Sequence, residues 1–404
     1  MPTSKLGKLL YFGFGIKDVI LKSFNIIDNI FVFKCSLKKP IKKCSKCHSC
    51  DVQIKETRTR YLRMVPLGST KCLLEITVHK FKCRACRSCS WVKLPFALGK
   101  LPLTRSLVTY VLSLIKLTTV KSVAGFLDLQ WKTVKNIHKD WLREKYKKIR
   151  YRDLVYLSMD EFSIRRGHTY MTVFLDIRTG RIVFAVEGRA VEDIKPFLEK
   201  LSKRAHKLKA IAMDMSRSYI SAVREYLPHV SIVFDRFHVQ KILNEALDAV
   251  RKEERQKYQA EGLRIGQGER FLFFRNFESL DKDEQIRLKK LFELNATLAK
   301  AHMLKEQFRQ FWELGSKKEA ARFLVRWVMT AFLSGINAMD KVASTILAHS
   351  EGLLNYYDYS ISNGKIEGVN NKIKVLKRTA YGYRDMEYFK LQLFDLHEKS
   401  VQVV

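Results

Sequence analysis

A run of β-type segments with aspartates at their ends, between Leu154 and Asp235, constrains this chain more than any other feature. The first, Leu154 to Asp160 (Leu-Val-Tyr-Leu-Ser-Met-Asp), closes a basic, helix-rich stretch and predicts a strand with Asp160 at its tip. Tyr170 to Asp176, the turn Arg178-Thr179-Gly180 and Arg181 to Val186 read together as a hairpin. Glu192 to Leu201 carries Ile194, Phe197, Leu198 and Leu201 at helical spacing. Two buried-type strands follow, Ala210 to Met213 and Val230 to Phe234, with a helix between them, and they end in Asp214 and Asp235. A hairpin followed by helix-crossover strands predicts a mixed α/β sheet, which can gather carboxylates from distant positions at one edge.

At 404 residues the chain exceeds what one core usually supports, so several domains are expected. Its 75 Lys and Arg against 41 Asp and Glu leave +34, spread along the chain, and such a field favours a polyanion. No stretch approaches the roughly 20 apolar residues of a spanning helix, so no membrane partner is expected. The apolar run Leu9 to Ile16 is broken by glycines and lacks a cleavage site, and it reads as mature chain. All eight cysteines lie between Cys35 and Cys89, which in a long basic protein points to metal in a reducing cytoplasm and not to disulfides.

Cys44 to Cys50 reads Cys-Ser-Lys-Cys-His-Ser-Cys and Cys83 to Cys89 reads Cys-Arg-Ala-Cys-Arg-Ser-Cys. Two C-x-x-C pairs suit one tetrahedral, structural Zn²⁺, with Cys44, Cys47, Cys83 and Cys86 as its ligands. Cys50, Cys89 and His48 leave the register open, while Cys35 and Cys72 read as ordinary buried residues. Tyr61 to Met64 and Leu73 to Val78 have strand character, as a small sheet joining the two knuckles would need.

From Thr104 to Lys148 apolar positions repeat at helical intervals. Val120 to Leu127, a break at Asp128 to Gln130, and Trp131 to His138 have the length of a helix-turn-helix, though a plain helical hairpin gives the same pattern. In the first reading Lys132, Thr133, Lys135 and Asn136 are exposed on the second helix, where they can reach a major groove. After Asp235-Arg-Phe-His238, a stretch to about Tyr357 reads as a helical insertion with a break at Gly262 to Gly268. The expected organisation is a zinc module at 1–100, a helix-turn-helix domain at 101–150, the α/β core at 151–239, the insertion at 240–357, and the last part of the core at 358–404.

The block from Ser362 to Tyr383 begins Ser-Asn-Gly-Lys-Ile-Glu-Gly-Val-Asn-Asn-Lys. Together with Asp160-Glu-Phe, Gly167-His-Thr-Tyr170, Ala212-Met-Asp-Met-Ser216 and Asp235-Arg-Phe-His-Val239, it resembles bacterial insertion-sequence transposases of the ISL-three group. The likeness runs from the knuckles near Cys44 to about Leu396. It implies a DDE transposase with an RNase H-like catalytic core, an acidic triad at Asp160, Asp214 and Glu367, and Asp235 and His238 as support. The implied partners are double-stranded DNA, as element terminal inverted repeats and target, and further copies of the chain in a dimer or larger assembly. The implied location is a bacterial cytoplasm, at the nucleoid.

Three acids suit that chemistry, because two divalent ions such as Mg²⁺ or Mn²⁺ can serve an in-line displacement at phosphorus and carboxylates hold them. A lone Asp after a strand is more often a turn or cap residue, and Asp235 rivals Asp214 for the second position. Asp176 and Glu161 read as structural. If a helix begins near Asn363, then Ile366, Val369, Ile373 and Leu376 form an apolar stripe, beside which Glu367, Asn370, Asn371 and Lys374 line a polar one. Two rival functions stay open: a zinc and helix-turn-helix regulator without catalysis, and a nuclease that cuts without joining.

Overall fold

The computed structural model describes residues 4–38, 43–165, 169–260, 270–361 and 364–397. Contacts between residues divide the chain into two units, Met1–Lys145 and Tyr146–Val404.

In the first unit β1 (Val19–Ile27), β2 (Ile30–Leu37), β3 (Val52–Leu67), β4 (Thr70–Cys83) and β5 (Cys89–Trp91) form one sheet. Its order is β1-β2-β4-β3, with β5 on β4, and β2 runs parallel to β4. Strand β4 alternates, burying Cys72, Leu74, Ile76 and Val78 against Phe33, Leu62 and Met64, as a sheet with one covered face must. The β1–β2 hairpin lies outside the expected strands. Its turn, Asp28-Asn29, has φ of 48° and 59°, the paired left-handed residues of a tight hairpin, so the signal was there between two β-branched and aromatic runs.

Three helices follow: α1 (Arg105–Ile115), α2 (Val120–Leu127) and α3 (Trp131–Lys145). Thr104 and Thr119 cap the first two by accepting from Leu107 and Ser122 N–H. Asp128, at φ 50°, stops α2 in the left-handed conformation. Leu107, Val111, Val123, Leu127, Val134 and Ile137 form their common core, and Arg63 on β3 donates to the Leu127 carbonyl at 2.9 Å.

The second unit is built on β6 (Tyr156–Arg165), β7 (Thr169–Asp176), β8 (Arg181–Glu187), β9 (Ala210–Met213) and β10 (Ser231–Phe234), in the order β10-β9-β6-β7-β8. The β6-β7-β8 meander is antiparallel, and β9 and β10 add in parallel through α4 (Val191–Arg204) and α5 (Arg217–Tyr226). One expectation needs correcting: Asp160 is not at the tip of its strand. The ladder with β7 carries β6 on to Arg165, whereas its parallel pairing with β9 stops at Ser158↔Ala212. Asp160 therefore stands just past the end of its parallel neighbour. Asp176 acts in the hairpin turn, accepting from the Arg178 N–H at 3.1 Å and the Thr179 hydroxyl at 2.6 Å.

Both faces of this sheet are covered. Leu157, Phe174, Ile211 and Phe234 pack with Ile194, Phe197, Val223 and a helical region that starts with α6 (Arg236–Ala260). That region continues through α7 (Lys282–Leu294), α8 (Ala296–Arg309), α9 (Lys317–Leu333) and α10 (Asn337–Ala348). The expected break at Gly262 to Gly268 lies outside the described residues. Ile164, Met171, Val173 and Leu175 cover the other side with Ile366 and Ile373 of α11 (Gly364–Thr379) and Phe389 and Leu393 of α12 (Met386–Phe394).

Candidate active site and thiol cluster

Register alone brings three aspartates to one level. Ser158 pairs with Ala212, so Asp160 and Asp214 each lie two residues further along neighbouring parallel strands. Met213 pairs with Phe234, so Asp235 follows level with Asp214, and its N–H donates to the Met213 carbonyl at 3.2 Å. Because strand side chains repeat every second residue, Asp160 continues the side of Ser158 and Asp214 that of Ala212.

The side chains are tied in by local and distant partners. Asp235, 8% exposed, accepts from the Phe237 N–H at 3.2 Å and holds His238 Nδ1 at 3.1 Å. That bond raises His238 above its ordinary value, with the charges of Asp235, Asp214 and Asp160 adding to it. Asp214 accepts from the Ser216 N–H at 3.1 Å as the chain turns into α5. Burial pushes the Asp160 carboxyl up, opposed by hydrogen bonds from Asn370 Nδ2 at 2.6 Å and from the Glu161 N–H at 2.8 Å.

Asn370 comes from α11, whose apolar stripe of Ile366, Val369, Ile373 and Leu376 packs on the sheet as its spacing requires. Its Oδ1 is buried and has no hydrogen-bond partner among the described residues. Asn371 and Lys374 are exposed on the same helix. Glu367 lies on α11 one turn before Asn370; its side chain is outside the described residues, as are Gly167, His168, Ser362 and Asn363. Glu161, read from the sequence as structural, points its carboxylate to the Tyr219 hydroxyl. Burial raises it first, and the nearby charge of Asp214 adds to this. Nothing local in the sequence announces Tyr219 as a partner, 58 positions away.

In the first unit the two knuckles repeat one geometry. Cys44 N–H donates to the Ser49 carbonyl and Cys83 N–H to the Ser88 carbonyl, both at 2.9 Å, and His48 and Arg87 each take a left-handed φ. The Sγ atoms of Cys44, Cys47, Cys83 and Cys86 all lie within 4.8 Å of one another, with Cys44–Cys86 at 3.6 Å and Cys47–Cys83 at 3.5 Å. Thiolates at about 2.3 Å from a tetrahedral zinc stand roughly 3.8 Å apart, so the cluster is compatible with that ion. The Ser88 hydroxyl, 3.3 Å from Cys44 Sγ and 3.0 Å from Cys86 Sγ, lowers both thiols, Cys44 to about 5. The serine repeated in both knuckles was its sequence signal. Cys50 and Cys89 are exposed and stand outside the cluster, while Cys35 and Cys72 are buried in the sheet's core.

On α3, Lys132 and Asn136 are exposed and Thr133 and Lys135 half-buried, with Lys135 Nζ 5.8 Å from the Trp131 ring centre. Among the described residues no helix is long and apolar enough to cross a membrane.

A family model described as a transposase, DDE_Tnp_ISL3, matches residues 157–393. The chain belongs to the ISL3 transposase family. It is 31% identical over 362 residues to the transposase for insertion sequence element IS1001 of Bordetella parapertussis, across 88% of this chain and 89% of that one. It is 24% identical over 370 residues to the transposase for insertion sequence element IS1557 of Mycobacterium tuberculosis, across 85% and 83%. A more distant likeness, TM-score 0.39 at 11% identity over 73% of this chain and 92% of that one, is to a structure titled Drosophila P element transposase strand transfer complex. At that distance it carries no argument. The resemblance read from the sequence is thereby borne out, and this chain is a transposase.

Membership implies use of a divalent metal, and the donors in this transposase fit one. Level carboxylates, one of them raised by burial, and the unsatisfied Asn370 oxygen make a hard, oxygen-only set.

Proposed function

We propose that this transposase is a DDE enzyme in which Met1–Lys145 binds the ends of its element. An RNase H-like sheet in Tyr146–Val404 then cuts those ends and joins them to target DNA. The observation that carries the reading is the common level of Asp160, Asp214 and Asp235, with Asn370 from the chain's last segment bonded to Asp160.

Asp160, Asp214 and Glu367 are the residues that would hold Mg²⁺ or Mn²⁺, which when bound supplies Lewis-acid stabilisation for displacement at phosphorus. Asp235 orients His238 beside them and raises it above its ordinary value, and Asn370 fixes the Asp160 carboxylate. Asn371 and Lys374 are exposed on the same helix for the scissile strand's phosphates. Water attacks phosphorus and the 3′-oxygen leaves with a proton as a 3′-hydroxyl. That hydroxyl attacks a target phosphodiester, one P–O bond replacing another, so no covalent enzyme intermediate is needed.

In the first unit Cys44, Cys47, Cys83 and Cys86 hold structural Zn²⁺. The α2–α3 pair acts as a helix-turn-helix, with Lys132, Thr133, Lys135 and Asn136 toward a major groove, a reading supported by the exposure of Lys132 and Asn136 and by the net +34 charge. Joining two ends calls for at least two copies of the chain.

The test is cleavage and strand transfer on duplexes carrying the element's ends in Mg²⁺. Asp160→Asn, Asp214→Asn and Glu367→Gln should lose both steps and keep end binding, because an amide is a far poorer ligand for a hard cation. An active Asp214→Asn beside a dead Asp235→Asn would move the second acid to Asp235. Cleavage without joining would leave a nuclease.

A further inference from the structure

Phe237 is the second residue of α6 and 63% exposed. The helix buries Val239, Leu243, Ala246, Leu247 and Val250, a stripe to which position 237 does not belong, and among the described residues the Phe237 ring belongs to no apolar cluster. Single exposed apolar side chains are common and by themselves mean nothing. This one is distinguished by what holds it. Its N–H is bonded to Asp235 Oδ1 at 3.2 Å, and its ring stands edge-on to the His238 ring with centroids 5.8 Å apart. His238 in turn is bonded to Asp235 and lies within the field of Asp160 and Asp214. An exposed phenyl ring thus stands edge-on to the histidine that Asp235 holds, two residues along the chain from that aspartate.

The acids are recessed, Asp235 being 8% exposed and Asp160 half-buried. A stiff duplex reaches recessed acids more easily when a base flanking the phosphodiester leaves the stack. Unstacking a base is costly. An aromatic face returns part of that cost and accepts any base, since each has a π-face.

We propose that Phe237 is a positioning residue on which the nucleobase next to the scissile phosphate stacks once it has left the helix. This rests on the DDE reading above, and the experiment separates the two. Full-length protein is given duplex oligonucleotides carrying one terminus of its element, intact or with an abasic site at the base beside the cleavage point. On the intact end in Mg²⁺, Phe237→Ala should cleave about 10- to 100-fold more slowly than wild type. Phe237→Trp should restore the rate, and the abasic end should rescue the alanine variant because no base then needs a platform. With 2-aminopurine at the same position and Ca²⁺ in place of Mg²⁺, wild type should raise the fluorescence on binding and Phe237→Ala should raise it less.

Equal cleavage by wild type and Phe237→Ala, or equal 2-aminopurine signals from the two, would overturn the stacking role. So would failure of both the tryptophan variant and the abasic end to restore the rate. Asp160→Asn run beside them reports on the site: an active Asp160→Asn removes the DDE reading, whereas a dead one with an active Phe237→Ala removes only the stacking.

Discussion

The sheet of Met1–Lys145 and the sheet of Tyr146–Val404 have five strands each, yet they are stabilised in different ways. In the first, β4 alternates between buried and accessible positions, and beyond its end the chain is gathered by four thiols. In the second, β9 is buried at all four positions and β7 at its last six, because helices cover both faces. Alternation leaves a face and an end for something else to close, whereas solid burial makes the sheet a platform whose chemistry appears where a strand or its neighbour stops. Asp214 and Asp235 stand where β9 and β10 stop, and Asp160 stands on β6 just past the end of its parallel neighbour β9.

The largest effect should separate the two units outright. Chelation, or Cys83→Ser, should abolish the folding transition of Met1–Lys145 and leave that of Tyr146–Val404 in place, since metal binding and knuckle folding are coupled. Calorimetry with and without chelator, alongside zinc analysis, reads this. An unchanged first transition would mean that the alternating sheet stands on its apolar core alone.

The converse belongs to the second sheet. Ile373 on α11 is 1% exposed where the helix packs on the sheet, so Ile373→Asp buries an unpaired carboxylate and should cost about 4 kcal/mol or more of that unit's stability by urea titration. A loss below about 1 kcal/mol would show that α11 can lift off and that the second face is not closed.

A third test uses acid. His302 on α8 is buried, and burial lowers it from 6.5 to about 4, with Lys305 lowering it further and Glu306 opposing. The folded state thus binds this proton less readily than the unfolded chain. The stability held by neutral His302 is complete above about pH 6.5 and is lost as pH falls toward about 4, on the order of 3 kcal/mol in all. Urea midpoints of wild type and His302→Gln at pH 7 and pH 4.5 should converge toward the acid end. Parallel pH curves would show that His302 protonates freely in the fold.

The smallest effect lies in the first unit, away from the thiols. Thr119 caps α2 by accepting the Ser122 N–H at 3.1 Å, so Thr119→Ala should cost about 1 kcal/mol, seen as a lower Tm for that unit's transition alone. A shift in both transitions would show that the two units unfold together.

Most of what the sequence by itself determined is local. The knuckle cysteines, the strands ending at Asp214 and Asp235, the hairpin at Arg178 to Gly180, the two helices around Asp128 and the apolar stripe of α11 each follow from spacing and turn chemistry within about a dozen residues. The same locality misled at Asp160, where a strand end was expected and the antiparallel partner β7 carries the strand on. Tertiary structure alone decided which strands are neighbours, and with them the level of the three aspartates. It also brought Asn370 to Asp160 across 210 positions, Ser88 to Cys44 across 44, and Tyr219 to Glu161 across 58. The physical reason is that a hydrophobic period records only that a face will be buried, and register between distant segments comes from the packing that buries it.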